Sequence, residues 1–178
     1  SRGLGDVYKR QVDALKSENI KCFYLPTIYN SKQSEKDAYQ LAKNLNVDID
    51  TISIETLRKK TNSELKPFFH NKPQDITEEN VQSRLRGLLL MSISNKFNSL
   101  LITTGNKSEL AIGYSTLYGD MCGGFSLIKD LYKTQVFELS KWRNKIIPDF
   151  CGFKKKGLIP ESIISVSYTH LTLPTNGC

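Results

Sequence analysis

The sequence predicts an α/β fold built on a parallel sheet, and three observations carry that prediction. Short apolar runs suited to buried strands alternate with longer segments whose apolar residues recur every three or four positions. Two of the runs close on a breaker, Ile20–Leu25 on Pro26 and the run 99–104 on Gly105, and each is followed by a helical pattern. With 178 residues, 39% hydrophobic and 24% charged, the chain has the size and balance of one ordinary globular domain with a sizeable core.

Each element follows from local pattern. From Val12 to about Glu18 the chain reads as the tail of a helix, and Ile20 to Leu25 as a short buried strand. Ser34 is a candidate cap for a helix through Leu45, with Ala38, Leu41, Ala42 and Leu45 on one face. Asp48 to Ile54 alternates strictly and reads as a second strand, and a helix is expected from Glu55 towards Lys66. Thr77 is expected to cap the clearest helix of the chain, where Glu78 and Glu79 place negative charge beside the positive helix end. At about 100° per residue, Val81, Leu85, Leu88, Leu89 and Ser92 form one stripe, expected in the core. Asn80, Arg84, Gly87 and Met91 form another, where the missing side chain at Gly87 lets a polar group approach closely. Ser99 to Thr104 is a third strand, a helix starts near Asn106, and a glycine-rich loop runs from Gly119 to Ile128. A last helix, Lys133 to about Asn144, is expected to turn Val136, Leu139 and Trp142 inward.

Composition narrows the function. No apolar run approaches the length of a membrane span, and the first residues lack a secretion signal's apolar centre, so a cytoplasmic location and no membrane partner are expected. The four cysteines, Cys22, Cys122, Cys151 and Cys178, have neither Cys-x-x-Cys pairing nor histidines at ligand spacing, and they read as reduced thiols. The net charge of +7 would suit a polyanion, yet it is spread thinly, and the run Lys154-Lys155-Lys156 reads as a solvated loop. Aromatic and basic residues are not interleaved as a single-strand binding platform requires, a small phosphate-bearing ligand would explain a basic cleft equally well, and no nucleic-acid partner is expected.

Ligands of open α/β sheets sit at the carboxyl ends of strands. Thr103-Thr104-Gly105-Asn106-Lys107-Ser108-Glu109 lies at such a place, offering a hydroxyl, amides at a helix start and a carboxylate. These groups suit a nucleotide phosphate with its metal ion, and they equally suit a plain strand-to-turn junction. Arg86 fits a salt bridge or a ligand contact.

Four linked blocks make the sequence recognisable: TEENVQSRLRG from Thr77, TTGNKSEL from Thr103, GYSTLYGDMCGG from Gly113, and KDLYKTQV from Lys129. Together, in this order and spacing, they resemble the synthetase domain of NAD synthetase, and the similarity covers about residues 12–164. The resemblance implies a Rossmann-like fold of the adenine-nucleotide hydrolase type. It implies activation of deamido-NAD by ATP through an adenylate, with release of pyrophosphate, and displacement of AMP by ammonia to give NAD. Carried over by position, Thr104 and Lys133 are implied to contact ATP. Asn80, Arg84, Glu109 and, more weakly, Asp120 are implied to contact deamido-NAD, with Glu109 also associated with Mg2+. No residue is assigned as catalytic. The blocks look more like the glutamine-dependent branch, whose separate glutaminase domain supplies the ammonia, and the family usually works as a homodimer or larger assembly.

Two departures accompany the matches. SRGLGDVYKRQ stands where the family's Ser-Gly-Gly-x-Asp-Ser pyrophosphate loop is expected, and a Pro-Ser-Ala-Glu-Leu segment expected after Ser165 is missing. Residues 1–11 and 165–178 resemble translated adapter sequence flanking a partial synthetase domain at 12–164. The chain as written is therefore expected to be an inactive fragment. The alternatives are another ATP pyrophosphatase and a non-catalytic nucleotide-binding or dimerisation module.

Overall fold

The computed structural model describes residues 4–149, 151 and 153–164. The segment 165–178, set apart by sequence, lies outside the described residues, as do residues 1–3. Helix α1, Leu4–Leu15, begins upstream of the expected helix tail and takes in most of the other segment set apart. It leads to strand β1, Lys21–Tyr24, helix α2, Lys32–Leu45, and strand β2, Asp48–Thr51. Strands β1 and β2 pair in parallel, Lys21 opposite Asp48 and Tyr24 opposite Thr51, so β1, α2 and β2 form one crossover unit.

The cap of α2 is Ser31 rather than Ser34. The Ser31 hydroxyl accepts the Ser34 amide at 3.1 Å, so the serine pair works with the upstream member as acceptor. The far end stops at Asn46 in the left-handed region, φ 53°, where its short amide side chain is tolerated. Leu41, Ala42 and Leu45 turn inward as their spacing predicts. Leu41 and Leu45 join Val12, Cys22, Val47, Leu158, Ile159 and Ile164 in the larger of two hydrophobic cores. Helix α7, Glu161–Ile164, thus closes over the first half of the chain.

Helix α3, Glu55–Leu65, matches its expected span. Helix α4, Ile76–Lys96, is capped by Asp75, whose carboxylate accepts the Thr77 amide at 2.7 Å while Glu78 accepts the Asp75 amide at 2.9 Å. The expected Thr77 cap is therefore displaced two residues upstream, because a carboxylate is the stronger acceptor for the positive helix end. The apolar stripe of α4 is not core throughout: Val81, Leu85 and Leu89 are half-buried, and Leu88 is 61% exposed. Gly87 is the one buried residue of the helix, because α4 packs through its small-residue side.

The expected third strand shrinks to β3, Ile102–Thr103, and a partner that reads as loop in the sequence, β4, Phe125–Ser126, lies parallel to it. Gly123 makes that pairing possible. Its φ is +151°, and a Cβ there would stand 2.6 Å from the Thr103 methyl and 2.9 Å from the Leu101 carbonyl oxygen. Between these strands lies helix α5, Lys107–Ala111, and after them α6, Lys133–Lys145. A second, smaller core of Ile128 and Val136 sits against Ile102, Leu127 and Leu131.

Helix α6 corrects one expectation. Val136 is buried, but Leu139 and Trp142 face outward, Trp142 being 42% exposed. The inward positions are Val136, Ser140 and Arg143. The two polar ones are satisfied inside: Ser140 donates to the Val136 carbonyl at 2.7 Å, and Arg143 grips Asp13 of α1 through two hydrogen bonds at 2.9 and 3.0 Å. Arg143 also donates to the carbonyls of Phe153 and Lys155, tying α1, α6 and the following segment together.

Candidate functional site

The strand-end motif folds as a cap. Asn106 Oδ1 accepts the Glu109 amide at 3.1 Å and Glu109 Oε2 accepts the Asn106 amide at 3.2 Å, a reciprocal box that starts α5 directly after β3. The other carboxylate oxygen, Oε1, lies 3.6 Å from Lys133 Nζ, and both side chains are about four-fifths shielded, at 21% exposure. Lys133 is delivered by the first turn of α6. Its backbone amide donates to Ser108 Oγ at 3.1 Å, and the Lys107 amide donates to the Leu131 carbonyl at 2.9 Å. Two helix starts are thus stitched together, with Thr104, half-buried, on the chain just before them. Thr103, one residue earlier, is buried against β4, where its hydroxyl meets that of Ser126. Glu109 and Lys133 accordingly meet beyond the carboxyl end of β3, with Thr104 close by along the chain. The pair brings a cation and a carboxylate together, and the Asn106, Lys107, Glu109 and Lys133 amides at these helix starts are taken by protein acceptors.

Asn80, Arg84 and Asp120 form a second group around the loop after α5. Asn80 Oδ1 accepts the Thr116 hydroxyl at 2.9 Å, and Arg84 Nε donates to the Leu117 carbonyl at 3.2 Å. Asp120 accepts the Thr116 amide at 2.7 Å and gives its own amide to Ser83 Oγ at 3.0 Å. The polar stripe of α4 is thus approached closely, as its pattern predicts, by the chain's own loop. At Gly87 a Cβ would stand 2.9 Å from the Tyr118 carbonyl oxygen and 3.0 Å from that of Gly119. Asp120 orders the loop and remains exposed, as does Arg84.

Sequence reasoning missed Ser83 and Ser108. Ser83 lies one helical turn from both Asn80 and Gly87, so periodicity marks it. Ser108 holds α6, and nothing local signals that long-range partner.

A third set of contacts fixes the carboxyl end of β1. Glu55 accepts two hydrogen bonds from Arg58, the shorter 2.7 Å, and receives the Ile28 amide at 3.4 Å. Hydrogen bonding from Arg58, helped by the Ile28 amide, lowers the Glu55 carboxyl to a pKa of about 2. Arg58 lies over the Tyr29 ring, 5.2 Å from its centre. From α4, Arg86 Nε donates to the Leu25 carbonyl at 3.0 Å. The neighbouring Tyr24 hydroxyl is raised in pKa by burial and by Glu35.

Among the described residues no group of three or more His, Cys, Asp and Glu is arranged to hold a metal, so Glu109 brings a single carboxylate. None of the described cysteines, Cys22, Cys122 and Cys151, is in a disulfide. Two shallow cavities, of about 340 and 350 Å³, are lined by none of Thr104, Glu109 and Lys133. One lies along the outer side of α6 beside Trp142, and the other lies at the amino ends of β1 and β2, away from the end where such sheets bind ligands.

A family model described as NAD synthase matches residues 7–168. The glutamine-dependent NAD(+) synthetase of Rhodobacter capsulatus is 48% identical over 152 residues, covering 85% of this chain and 28% of that protein. The Thermotoga maritima enzyme of the same name is 48% identical over 151 residues, covering 85% of this chain and 25% of that one. Among solved structures, the glutamine-dependent NAD+ synthetase of Acinetobacter baumannii in complex with ADP superposes with a TM-score of 0.87 at 42% identity, over 94% of this chain and 30% of that one. An NH3-dependent NAD synthetase from Campylobacter jejuni superposes with a TM-score of 0.73 at 31% identity, over 81% of this chain and 60% of that one. The chain spans 28% and 25% of the length of these two curated relatives.

Proposed function

Since this chain belongs to the NAD synthase family, we propose that it forms part of an enzyme that amidates deamido-NAD to NAD with ATP. The observation that carries this reading is the meeting of Glu109 and Lys133, 3.6 Å apart, at the carboxyl end of the strand that leads into Thr104.

In this reading the nicotinate carboxylate attacks the α-phosphorus of ATP, an adenylate forms and pyrophosphate leaves. Ammonia then attacks the acyl carbon, AMP leaves, and the ammonium proton passes to solvent. Both substrates carry negative charge, so their approach has to be offset by cations. Lys133 does so for the phosphates, and Thr104 adds a hydroxyl donor. Magnesium, when bound, screens the phosphate oxygens. Glu109 supplies one carboxylate for it, which suits an ion that is held jointly by one or two carboxylates and substrate phosphates. Its pairing with Lys133 keeps the carboxylate poised until phosphate competes for the lysine. Asn80, Arg84 and Asp120 shape the side that takes deamido-NAD, with the exposed Arg84 guanidinium available to an anionic group. Glutamine is the nitrogen source that the relatives' names support, and in this reading a separate domain releases its ammonia. Described cysteines that form no disulfide fit a reducing cytoplasm. The exposed apolar residues along α4 and after it, Ile76, Leu88, Phe97 and Leu100, fit a face covered in a homodimer.

The chain alone is proposed not to turn over, because its sequence contains no Ser-Gly-Gly-x-Asp-Ser loop for the departing pyrophosphate. Calorimetry with ATP and with deamido-NAD tests the binding half of this proposal, and affinity for neither sinks it. Lys133→Met is expected to weaken ATP about ten- to a hundredfold, the usual effect of losing a charged hydrogen bond. An assay for NAD from ATP, deamido-NAD and ammonia tests the other half, where measurable turnover by the purified chain overturns the inactivity.

A further inference from the structure

Four arginines of the described chain, Arg10, Arg58, Arg86 and Arg143, are at least half-buried, and two have a partner carboxylate. Arg58 and Arg143, 7% and 5% exposed, are neutralised by Glu55 and Asp13 at 2.7 and 2.9 Å. Arg10 and Arg86 have none among the described residues, and of these two it is Arg86 whose guanidinium is desolvated enough for burial to lower its pKa. No carboxylate of the described residues pairs with it, and its hydrogen bond through Nε to the Leu25 carbonyl leaves both Nη groups without a partner among them. A partly desolvated guanidinium that lacks a counter-ion and whose Nη groups still reach the surface is disposed to take an anion from outside the chain.

Its position says which ligand. Leu25 follows directly on β1, so the guanidinium stands at the carboxyl end of the β1 and β2 pair, beside Tyr24. That is the end where open parallel sheets receive ligands. The loop beyond is held by the Glu55 and Arg58 pair, with Ile28 on Glu55 and Tyr29 under Arg58. Fixing Nε on a backbone carbonyl orients the planar group and leaves two parallel Nη donors, a fork matched to two oxygens of a phosphate or carboxylate.

We propose that Arg86 is a substrate-binding residue, whose Nη fork takes an oxyanion of the nucleotide ligands at the carboxyl end of β1. This rests on the reading above that the strand ends form a nucleotide site. The oxyanion is a phosphate or the nicotinate carboxylate, and NAD, which has the phosphates without that carboxylate, separates the two.

The test is calorimetry on the full 178-residue chain, wild type, Arg86→Met and Arg86→Lys, with ATP, deamido-NAD, NAD and adenosine, alongside thermal melting of each variant. Arg86→Met is expected to weaken at least one anionic ligand on the order of ten- to a hundredfold while adenosine binding is unchanged. Arg86→Lys, which keeps the charge and loses the fork, is expected to fall between the two. A loss confined to deamido-NAD assigns the carboxylate, and a loss shared by ATP and NAD assigns phosphate. Undiminished ATP and deamido-NAD binding by Arg86→Met overturns the proposal and leaves the nucleotide site standing. Equal weakening of adenosine and ATP overturns it in favour of a positioning role for Leu25. Wild type that binds none of the four overturns both this proposal and the functional reading. If Arg86→Met has no melting transition, Arg86→Lys decides, and wild-type affinity there counts against the fork.

Discussion

Gly87 and Glu55 are two residues whose energetic consequences follow from single contacts. The added methyl of Gly87→Ala would stand 2.9 Å from one backbone carbonyl oxygen and 3.0 Å from the next, neither of which can rotate away as a side chain would. The loop has to move, and a loss of about 1–3 kcal/mol is expected, as for overpacking elsewhere. Chemical denaturation measures it, and an unchanged midpoint refutes the close approach. At Glu55 the folded carboxyl has a pKa of about 2 against an ordinary 4.5. A depressed folded-state pKa means stabilisation that is complete above the unfolded value and fades as pH falls through the window from 4.5 to 2. Glu55→Gln is expected to flatten the fall in melting temperature across that window. A slope identical to wild type would mean that the Arg58 pair does not persist in solution.

At the scale of elements, caps and staples decide. Replacing Asp75 by alanine removes the acceptor for the Thr77 amide at the start of α4, and about 1 kcal/mol of stability is expected to go with it. Thr77→Ala leaves that acceptor in place and should cost much less, a difference readable in paired denaturation curves. Arg143→Met is more severe, at about 3–5 kcal/mol, because it strands Asp13 and bares the carbonyls of Phe153 and Lys155. A thermal melt within a degree or two of wild type would contradict the staple. These same elements explain what was legible in the sequence. Helices α2, α3 and α4 were readable because their periodicity and end signals are local. The pairing of β3 with β4 was not, since two-residue strands carry no alternation and their partner is set by a distant glycine. Helix α6 misled for a related reason: Trp142 looks like core by residue type, while the buried Arg143 depends on an aspartate 130 residues away. In the site, Thr104 and Glu109 were legible from chain proximity. Lys133 was available only through family resemblance, its contact with Glu109 was not legible because it joins two helix starts distant in sequence, and the hold of α4 on loop 116–120 replaced an open polar face.

The whole molecule is organised around two cores of unequal size. Among the described residues, eight buried ones make up the larger, around α2 with the β1 and β2 pair, and two make up the smaller, against β3 and β4. Amides of Cys22 and Leu45 are therefore expected to exchange with solvent more slowly than those of Thr103 and Ser126. Hydrogen exchange measures the contrast, and uniform protection would mean one cooperative unit. The Glu109 and Lys133 pair belongs to the less protected half, so the ligand binding proposed there is expected to raise protection mainly in that half. The loop over α4 sits in the same half and is held in an unusual currency. Arg84 reaches the Leu117 carbonyl, Gly87 admits the Tyr118 and Gly119 carbonyls, and Ser83 takes the Asp120 amide. Helix α4 thus reads peptide groups rather than side-chain identity at Leu117 and Tyr118, both of which project into solvent. In a saturation library Tyr118, at φ 62°, should favour glycine and asparagine and reject β-branched residues and proline. Leu117 should accept broad replacement without loss of fold, giving the surface freedom to acquire new specificities on an unmoving track.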